Sequence, residues 1–320
     1  MPALRRAAAF ADAHLPWFVL VMVLLGLFFP DLLGLFSLYG MLFMAVMTFS
    51  STLGSGFSDL LGVFRRPVPV VATLVILHVL MPGLTLLLGN LLFPEAPLFT
   101  TGLVLEYAIP TAVASLMWVG ICHADMPTAI SIVLLDTLLS PIVIPLTLKV
   151  LLGSVVELEA FGMLKDLLWM VAIPAVGAML LYRFRPETAR SLKPNCTPFS
   201  RLAMFLLIGA NASGCAPFLK NLDMTLVKVM LVVFLLCLGG FFAGYRGAKR
   251  LKLPYPARLT MCFCCGMRNI SAGAVLAAQY FPPEVLFPVA FSPIFLQLTT
   301  SVIAKILLHL PSAKEEQAPK

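Results

Sequence analysis

Four ionisable residues lie inside long apolar stretches of this sequence: His78, Glu106, Asp136 and Arg268. Placing such a group in hydrocarbon is unfavourable, by about 2.5–3.5 kcal/mol for Arg or Asp at the centre of a spanning helix, so intramembrane charges are candidates for ion and substrate pathways. We predict that Glu106, Asp136 and His78 take part in ion or proton coupling and that Arg268 binds an anion. The alternative is structural: an Arg–carboxylate pair that serves helix packing, and a hydrogen-bonded histidine.

Two of the apolar stretches are interrupted by residues that break helices. Pro110 has no backbone N–H, and the Thr and Ser hydroxyls that follow it can satisfy the carbonyls it frees. Gly266 permits unusual backbone geometry just before Arg268. If both helices unwind near the middle of a membrane, half-helix N-termini and free carbonyls converge on a point that suits an anion or a small cation. Two simple kinks are the alternative. The predicted substrate-binding residues are Arg268, Asn269, Ser115, Thr111 and, from the opposite side of a cavity, Asn211.

The elements that position these residues are apolar helices. Apolar residues make up 60% of the chain and charged residues 12%, against about 45–50% and 25% in soluble domains. This composition excludes an ordinary soluble enzyme, a disordered chain and a disulfide-rich secreted module. Because a spanning helix needs about 20 apolar residues, we predict an all-α polytopic membrane protein with ten transmembrane helices; continuous apolar runs exclude a β-barrel. The ten predicted segments are residues 15–30, 35–53, 68–92, 98–122, 127–152, 161–182, 198–219, 224–245, 255–279 and 284–309.

The two halves of the chain echo each other. Segment 5 contains Ser140-Pro141 and segment 10 contains Ser292-Pro293, and each follows an interrupted helix. Two units of five spans must lie in opposite orientations, which is the inverted repeat typical of secondary transporters. We therefore predict a 5+5 inverted repeat in which helices 4 and 9 are broken and cross.

The Lys and Arg residues predict the orientation. Seventeen of the 22 fall on one side of the predicted membrane and four on the other, with Arg268 between. Because positive charge favours the cytoplasmic side, both termini and the longest loop, 183–197, are predicted to be cytoplasmic in a multi-pass protein of the bacterial inner membrane. The net charge of +7 is attributed to topology and anionic lipid rather than to nucleic acid. Residues 1–310 are expected to form one transporter unit and 311–320 a disordered tail.

One short motif and the span plan carry a family resemblance. The stretch Cys264-Cys265-Gly266-Met267-Arg268-Asn269, the Pro-interrupted segment 4, the Ser-Pro of segment 5 and the ten-span plan resemble the bile acid:sodium symporter family. The resemblance implies a core domain of helices 3–5 and 8–10 and a panel domain of helices 1, 2, 6 and 7. It also implies that an organic anion binds in the cavity between them.

The chain departs from that family where the family binds sodium. The family's segment 9 reads Glu-x-Gly-Met-Gln-Asn, whose acid and amide help to hold two sodium ions. The positions that correspond to its sodium ligands carry Cys264, Arg268, His78, Ser115-Leu116, Ala129 and Val133 in this sequence. A guanidinium in such a site would repel sodium by about 4 kcal/mol at 4 Å and an effective dielectric of 20. We therefore do not expect sodium coupling: Arg268 would replace one ion as a tethered cation, and transport would be proton-coupled or uncoupled.

The predicted function is secondary active transport of a small organic anion, with no metal and no cofactor. One alternative is arsenite efflux through the thiols of Cys122, Cys262, Cys264 or Cys265, although those carriers are expected to keep a segment 9 carboxylate. Another is a non-transporting sensor or scaffold. An enzyme is not expected, because the sequence has no HExxH, no GxGD and no GxSxG in a suitable context.

Overall fold

The structure is a computed structural model that describes residues 14–153, 159–220 and 222–309, together with Leu4, Arg6, Phe10 and Ala11. The predicted tail 311–320 lies outside the described residues. Within the described part of the chain, all regular secondary structure is helical, as the long continuous apolar runs predict. The principal helices are α1 (Leu15–Phe28), α2 (Pro30–Thr52), α3 (Pro67–Leu92), α4a (Pro97–Ala108), α4b (Ser115–Ile121), α5 (Met126–Leu152), α6 (Ala160–Phe184), α7 (Pro186–Ser213), α8 (Met224–Arg250), α9a (Tyr255–Gly266), α9b (Ile270–Tyr280) and α10 (Pro283–Leu308).

Six of these helices are long and apolar enough to cross a membrane, counting only the described residues. They are α2, α3, α5, α6, α8 and α10. The all-α, polytopic fold class is thereby confirmed. The count of ten spans stays a prediction, because α1 is short, α4 and α9 are interrupted and α7 begins with a polar stretch.

The predicted loop 183–197 is mostly helical, which corrects the sequence analysis. Helix α7 begins at Pro186, where the missing N–H of proline has no cost in the first turn. Arg190 Nη1 donates to Glu187 Oε1 at 2.8 Å one turn away, a spacing that stabilises helices. The two inner prolines, Pro194 and Pro198, do not end the helix. Low hydropathy therefore marked the end of the apolar run and not the end of the helix.

Proline inside α5 is accommodated by the serine before it. Pro141 cannot donate to the carbonyl four residues back, which is that of Thr137. Ser140 Oγ donates to Thr137 O at 2.8 Å instead, so α5 continues unbroken to Leu152. The Ser-Pro motif, on which the predicted repeat partly rests, thus has a local structural purpose in segment 5.

Helix contacts follow two groups. Helix α7 packs against α1 and α2, while α8 packs against α9a and α10, and α4a against α3 and α10. The division into a panel domain and a core domain stays a prediction. The largest buried cluster includes Leu103, Val229, Phe263 and Phe287. It encloses the two interrupted helices.

Candidate functional site

The two interrupted helices meet at their breaks. Residues 109–114 separate α4a from α4b, and residues 267–269 separate α9a from α9b. Thr111 and Arg268 face each other there in an isolated antiparallel bridge. The breaks predicted from Pro110 and Gly266 are present, and their freed backbone groups pair with each other as buried groups must. Two bonds flank the bridge: Ala112 N–H to Met267 O at 3.1 Å, and Asn269 N–H to Pro110 O at 2.8 Å.

The Arg268 guanidinium lies within this crossing and binds backbone carbonyls. Its Nη1 donates to Ile109 O at 3.2 Å and to Leu77 O at 3.4 Å, and Nη2 donates to Leu77 O at 3.5 Å. Its Cζ lies 5.2 Å from the centre of the Tyr107 ring, a distance typical of cation–π contact. Arg268 is only 3% exposed. The cation is therefore enclosed by α3, α4a and the α4 break.

Local sequence explains why these two carbonyls are available. Residues 76–80 form a π-turn in which the Met81 N–H donates to Ile76 O, five residues back. The next residue, Pro82, has no N–H to offer to Leu77 O. Ile109 is the extended residue that ends α4a, with ψ of 154°. Each carbonyl thus lacks its helical donor, and Arg268 supplies one.

Asp136 joins three elements at the same crossing. Its Oδ1 lies 2.5 Å from His78 Nε2 on α3, and its Oδ2 accepts from the Thr111 N–H at 2.6 Å. The Asp136 side chain is fully buried, and that of His78 is 10% exposed. Among the described residues, no carboxylate oxygen lies within 4 Å of Arg268, so the alternative of a direct Arg–carboxylate pair is not the arrangement found.

Glu106 occupies a separate position between α4a and α10. Ser292 Oγ donates to Glu106 Oε1, while Oε2 has no hydrogen-bond partner among the described residues. Both residues are buried. Ser292 belongs to the second Ser-Pro motif. That motif therefore identified one residue of the Glu106–Ser292 pair, but the sequence did not indicate that the two residues are partners.

The predicted substrate-binding residues divide into those at the crossing and one elsewhere. Thr111 Oγ1 donates to Cys264 O at 2.8 Å, Ser115 Oγ lies 3.9 Å from Cys264 Sγ, and Asn269 Oδ1 caps α9b by accepting from the Ala272 N–H at 3.4 Å. Asn211 lies on α7 and is 7% exposed. Among the described residues, no hydrogen bond or ion pair joins Asn211 to the crossing. The binding roles of all five residues, Arg268 included, stay predictions.

The crossing carries a cation of its own and few ligands for another. Cys264, Ala129 and Val133, at positions that the resemblance equates with sodium ligands, are buried and offer no side-chain oxygen. Within the described ranges, no group of three or more His, Cys, Asp or Glu residues could hold a metal ion. Three partners of the network were missed by sequence reasoning: Tyr107, Leu77 and Ile109. Pro82 was the available signal for Leu77.

Comparisons with known proteins place the chain among transporters. A family model described as the Sodium Bile acid symporter family matches residues 41–222. The uncharacterized protein YbaS of Bacillus subtilis is 35% identical over 264 residues, which cover 82% of this chain and 86% of that protein. The uncharacterized sodium-dependent transporter YocS of the same organism is 24% identical over 306 residues, 95% of this chain and 94% of that protein. The probable sodium/metabolite cotransporter BASS1 of Arabidopsis thaliana chloroplasts is 26% identical over 253 residues, 78% and 61% of the two chains.

Proposed function

This chain belongs to the sodium bile acid symporter family, and on that basis we propose that it moves a small organic anion by alternating access without using a sodium gradient. Membership makes it a membrane transporter and not an enzyme. The names of YocS and BASS1 describe those proteins as a sodium-dependent transporter and a probable sodium/metabolite cotransporter. The proposal departs from them at the crossing of α4 and α9.

The proposal rests on the position of the Arg268 guanidinium and on the groups that it contacts. Its guanidinium binds the carbonyls of Leu77 and Ile109, which are hard oxygen groups of the kind that a sodium ion prefers. A second cation at 4 Å would meet a repulsion of about 4 kcal/mol at an effective dielectric of 20. The tethered cation therefore supplies the positive charge at the crossing and keeps a free ion out.

The coupling ion in this proposal is the proton, held by the Asp136–His78 pair. Binding of a proton changes the net charge of the pair from −1 to neutral. The protonated pair keeps the short contact between His78 Nε2 and Asp136 Oδ1. Asp136 also fixes the α4 break through the Thr111 N–H, so a change in its charge acts directly on the crossing. His78 Nδ1 has no partner among the described residues, which leaves one ring nitrogen for proton exchange when the site opens.

The test is uptake into proteoliposomes under separate ion gradients. Labelled monocarboxylates, dicarboxylates and a steroid carboxylate are the probes, with the membrane voltage clamped. We expect an inward proton gradient in sodium-free buffer to drive accumulation of one of these classes, and an inward sodium gradient at equal pH to have no effect. Accumulation driven by sodium at fixed pH and voltage would overturn the proposal.

A pair of matched variants tests the role of Asp136. Asp136→Asn keeps an acceptor for the Thr111 N–H but cannot take up the charge change, so the effect of the pH gradient should be lost while exchange of labelled for unlabelled substrate persists. Asp223→Asn is the control, because this exposed cap of α8 accepts from Leu226 N–H at 2.8 Å and Asn caps helices as well as Asp does. Equal loss of pH-driven uptake in both variants would exclude a specific role for Asp136.

A further inference from the structure

An apolar groove lies on the face formed by α8, α9a and α10. It encloses about 460 Å³, within the range of about 300–1,000 Å³ that is usual for small-molecule sites. Among the described residues, no charged side chain lines it. Its lining includes Leu238, Phe242 and Tyr245 of α8, Cys262 of α9a, and Ile303 and Ile306 of α10.

Basic side chains stand at the end of this groove where α8 and α10 end. The Arg246 Cζ lies 5.5 Å from the centre of the Phe242 ring, which lines the groove. Lys249 lies one helical turn after the lining residue Tyr245, so it shares the groove's side of α8. Both side chains are exposed, so neither is buried in the interior of the protein.

No acidic residue offsets these cations in the same helices. The sequence contains no Asp or Glu from residue 224 to residue 283, and the single acid of α10, Glu284, lies at its opposite end. The last turn of α8 adds Arg250 to the positive end. The groove is therefore apolar along its length and positively charged at its rim. These two parts match the apolar chain and the anionic headgroup of an amphipathic ligand.

We propose that the groove binds an acyl chain of an anionic phospholipid while Arg246 and Lys249 hold its phosphate. An apolar channel open to the membrane selects a lipid tail over a soluble anion. The basic rim selects anionic over zwitterionic headgroups, since basic residues at the membrane surface favour anionic lipid. The lipid would touch α9a at Cys262, six residues before Arg268, and so brace the helix that carries the crossing.

The test is lipid-dependent thermal stability of the delipidated full-length protein in detergent micelles. Phosphatidylglycerol is expected to raise the unfolding midpoint saturably, because a ligand specific to the folded state stabilises it by mass action. Phosphatidylcholine should act only at much higher concentration, and glycerol-1-phosphate, a headgroup without chains, should have no effect. Equal shifts with the two lipids, or a full shift with glycerol-1-phosphate, would overturn the proposal.

Three variants separate the groove from general electrostatics. Arg246→Gln with Lys249→Gln should lower the apparent affinity for phosphatidylglycerol about 30-fold, at about fivefold for each cation near the surface. The control is Lys165→Gln with Lys228→Gln, which removes the same charge from exposed positions elsewhere. Gly239→Leu should fill the groove, because the nearest atom to its built Cβ is 3.9 Å away, and abolish the shift without unfolding the protein. Equal effects of the two charge variants, or a normal lipid response in Gly239→Leu, would contradict the site.

Discussion

At the scale of single residues, Arg268 is a buried cation whose hydrogen-bond acceptors are backbone carbonyl oxygens. The guanidinium is buried, yet its nitrogens meet two carbonyls that the π-turn and the α4 break release, and it lies against the Tyr107 ring. Buried charge is tolerated only with such compensation. The predicted role as tethered cation agrees with this geometry, and the predicted role as substrate anchor requires the crossing to open.

Replacing Arg268 should therefore create a sodium-responsive protein. In Arg268→Gln, the Leu77 and Ile109 carbonyls lose a donor, and we expect unfolding in sodium-free buffer to become easier by about 1–3 kcal/mol. Sodium, but not choline, should restore part of this loss by binding the vacated carbonyls. Thermal unfolding in NaCl and choline chloride at equal ionic strength measures it, with Lys228→Gln as the charge-matched control. An Arg268→Gln protein as stable as wild type in both salts would remove the tethered-cation role.

At the scale of elements, the position of the α9 break depends on close packing between α8 and α9a. A Cβ built on Gly244 would lie 2.3 Å from Met261 O and 2.8 Å from Cys265 Cβ. Small residues of this kind let helices in membranes approach closely. The close contact between α8 and α9a holds α9a in place. Helix α9a ends at Gly266, directly before the break that contains Arg268.

Enlarging Gly244 should disturb the crossing from a distance. Gly244→Ala forces α8 and α9a apart, and we expect a loss of about 1–3 kcal/mol in the free energy of unfolding, typical of overpacking. Gly177→Ala on α6 is the matched control: nothing lies within 4 Å of its built Cβ, and Ala favours helix over Gly by about 1 kcal/mol. Thermal unfolding of both proteins provides the measurement. A Gly244→Ala protein that matches or exceeds the stability of Gly177→Ala would contradict the close contact.

At the scale of the whole molecule, charge distribution predicts which end faces the cytoplasm. Phe64 before α3 lies on the side rich in Lys and Arg, and Phe161 at the start of α6 lies on the other. Their exposures, 78% and 77%, are nearly the same. Six of the seven cysteines are buried, and Cys196 is the partly exposed one. The pair therefore suits a labelling experiment.

A membrane-impermeant maleimide applied to intact spheroplasts should distinguish the two ends. In a Cys196→Ser background, Phe161→Cys should be labelled in intact spheroplasts. Phe64→Cys should be labelled only after the membrane is permeabilised. The Cys196→Ser protein without a new cysteine controls for reaction of the buried thiols. The reverse pattern would place both termini outside, and labelling of both sites in intact spheroplasts would contradict the predicted topology.

The sequence by itself determined the fold class, the two breaks and the residues worth testing. Apolar runs, Pro110 and Gly266 act through the backbone within a few residues, so their effects can be read locally. The same local logic failed for 183–197, because hydropathy reports contact with lipid while helix formation depends on the backbone. The family resemblance agreed with the later comparisons.

Only the tertiary structure decided what the intramembrane charges contact. The partners of Arg268 are carbonyls 191 and 159 residues away in sequence, and that of Asp136 on α3 is 58 residues away. Such contacts depend on how five helices pack, and a carbonyl carries no side-chain identity that a sequence pattern could display. The sequence named Arg268 as a cation in the membrane; packing determined that it binds the backbone of α3 and α4 and not a neighbouring carboxylate.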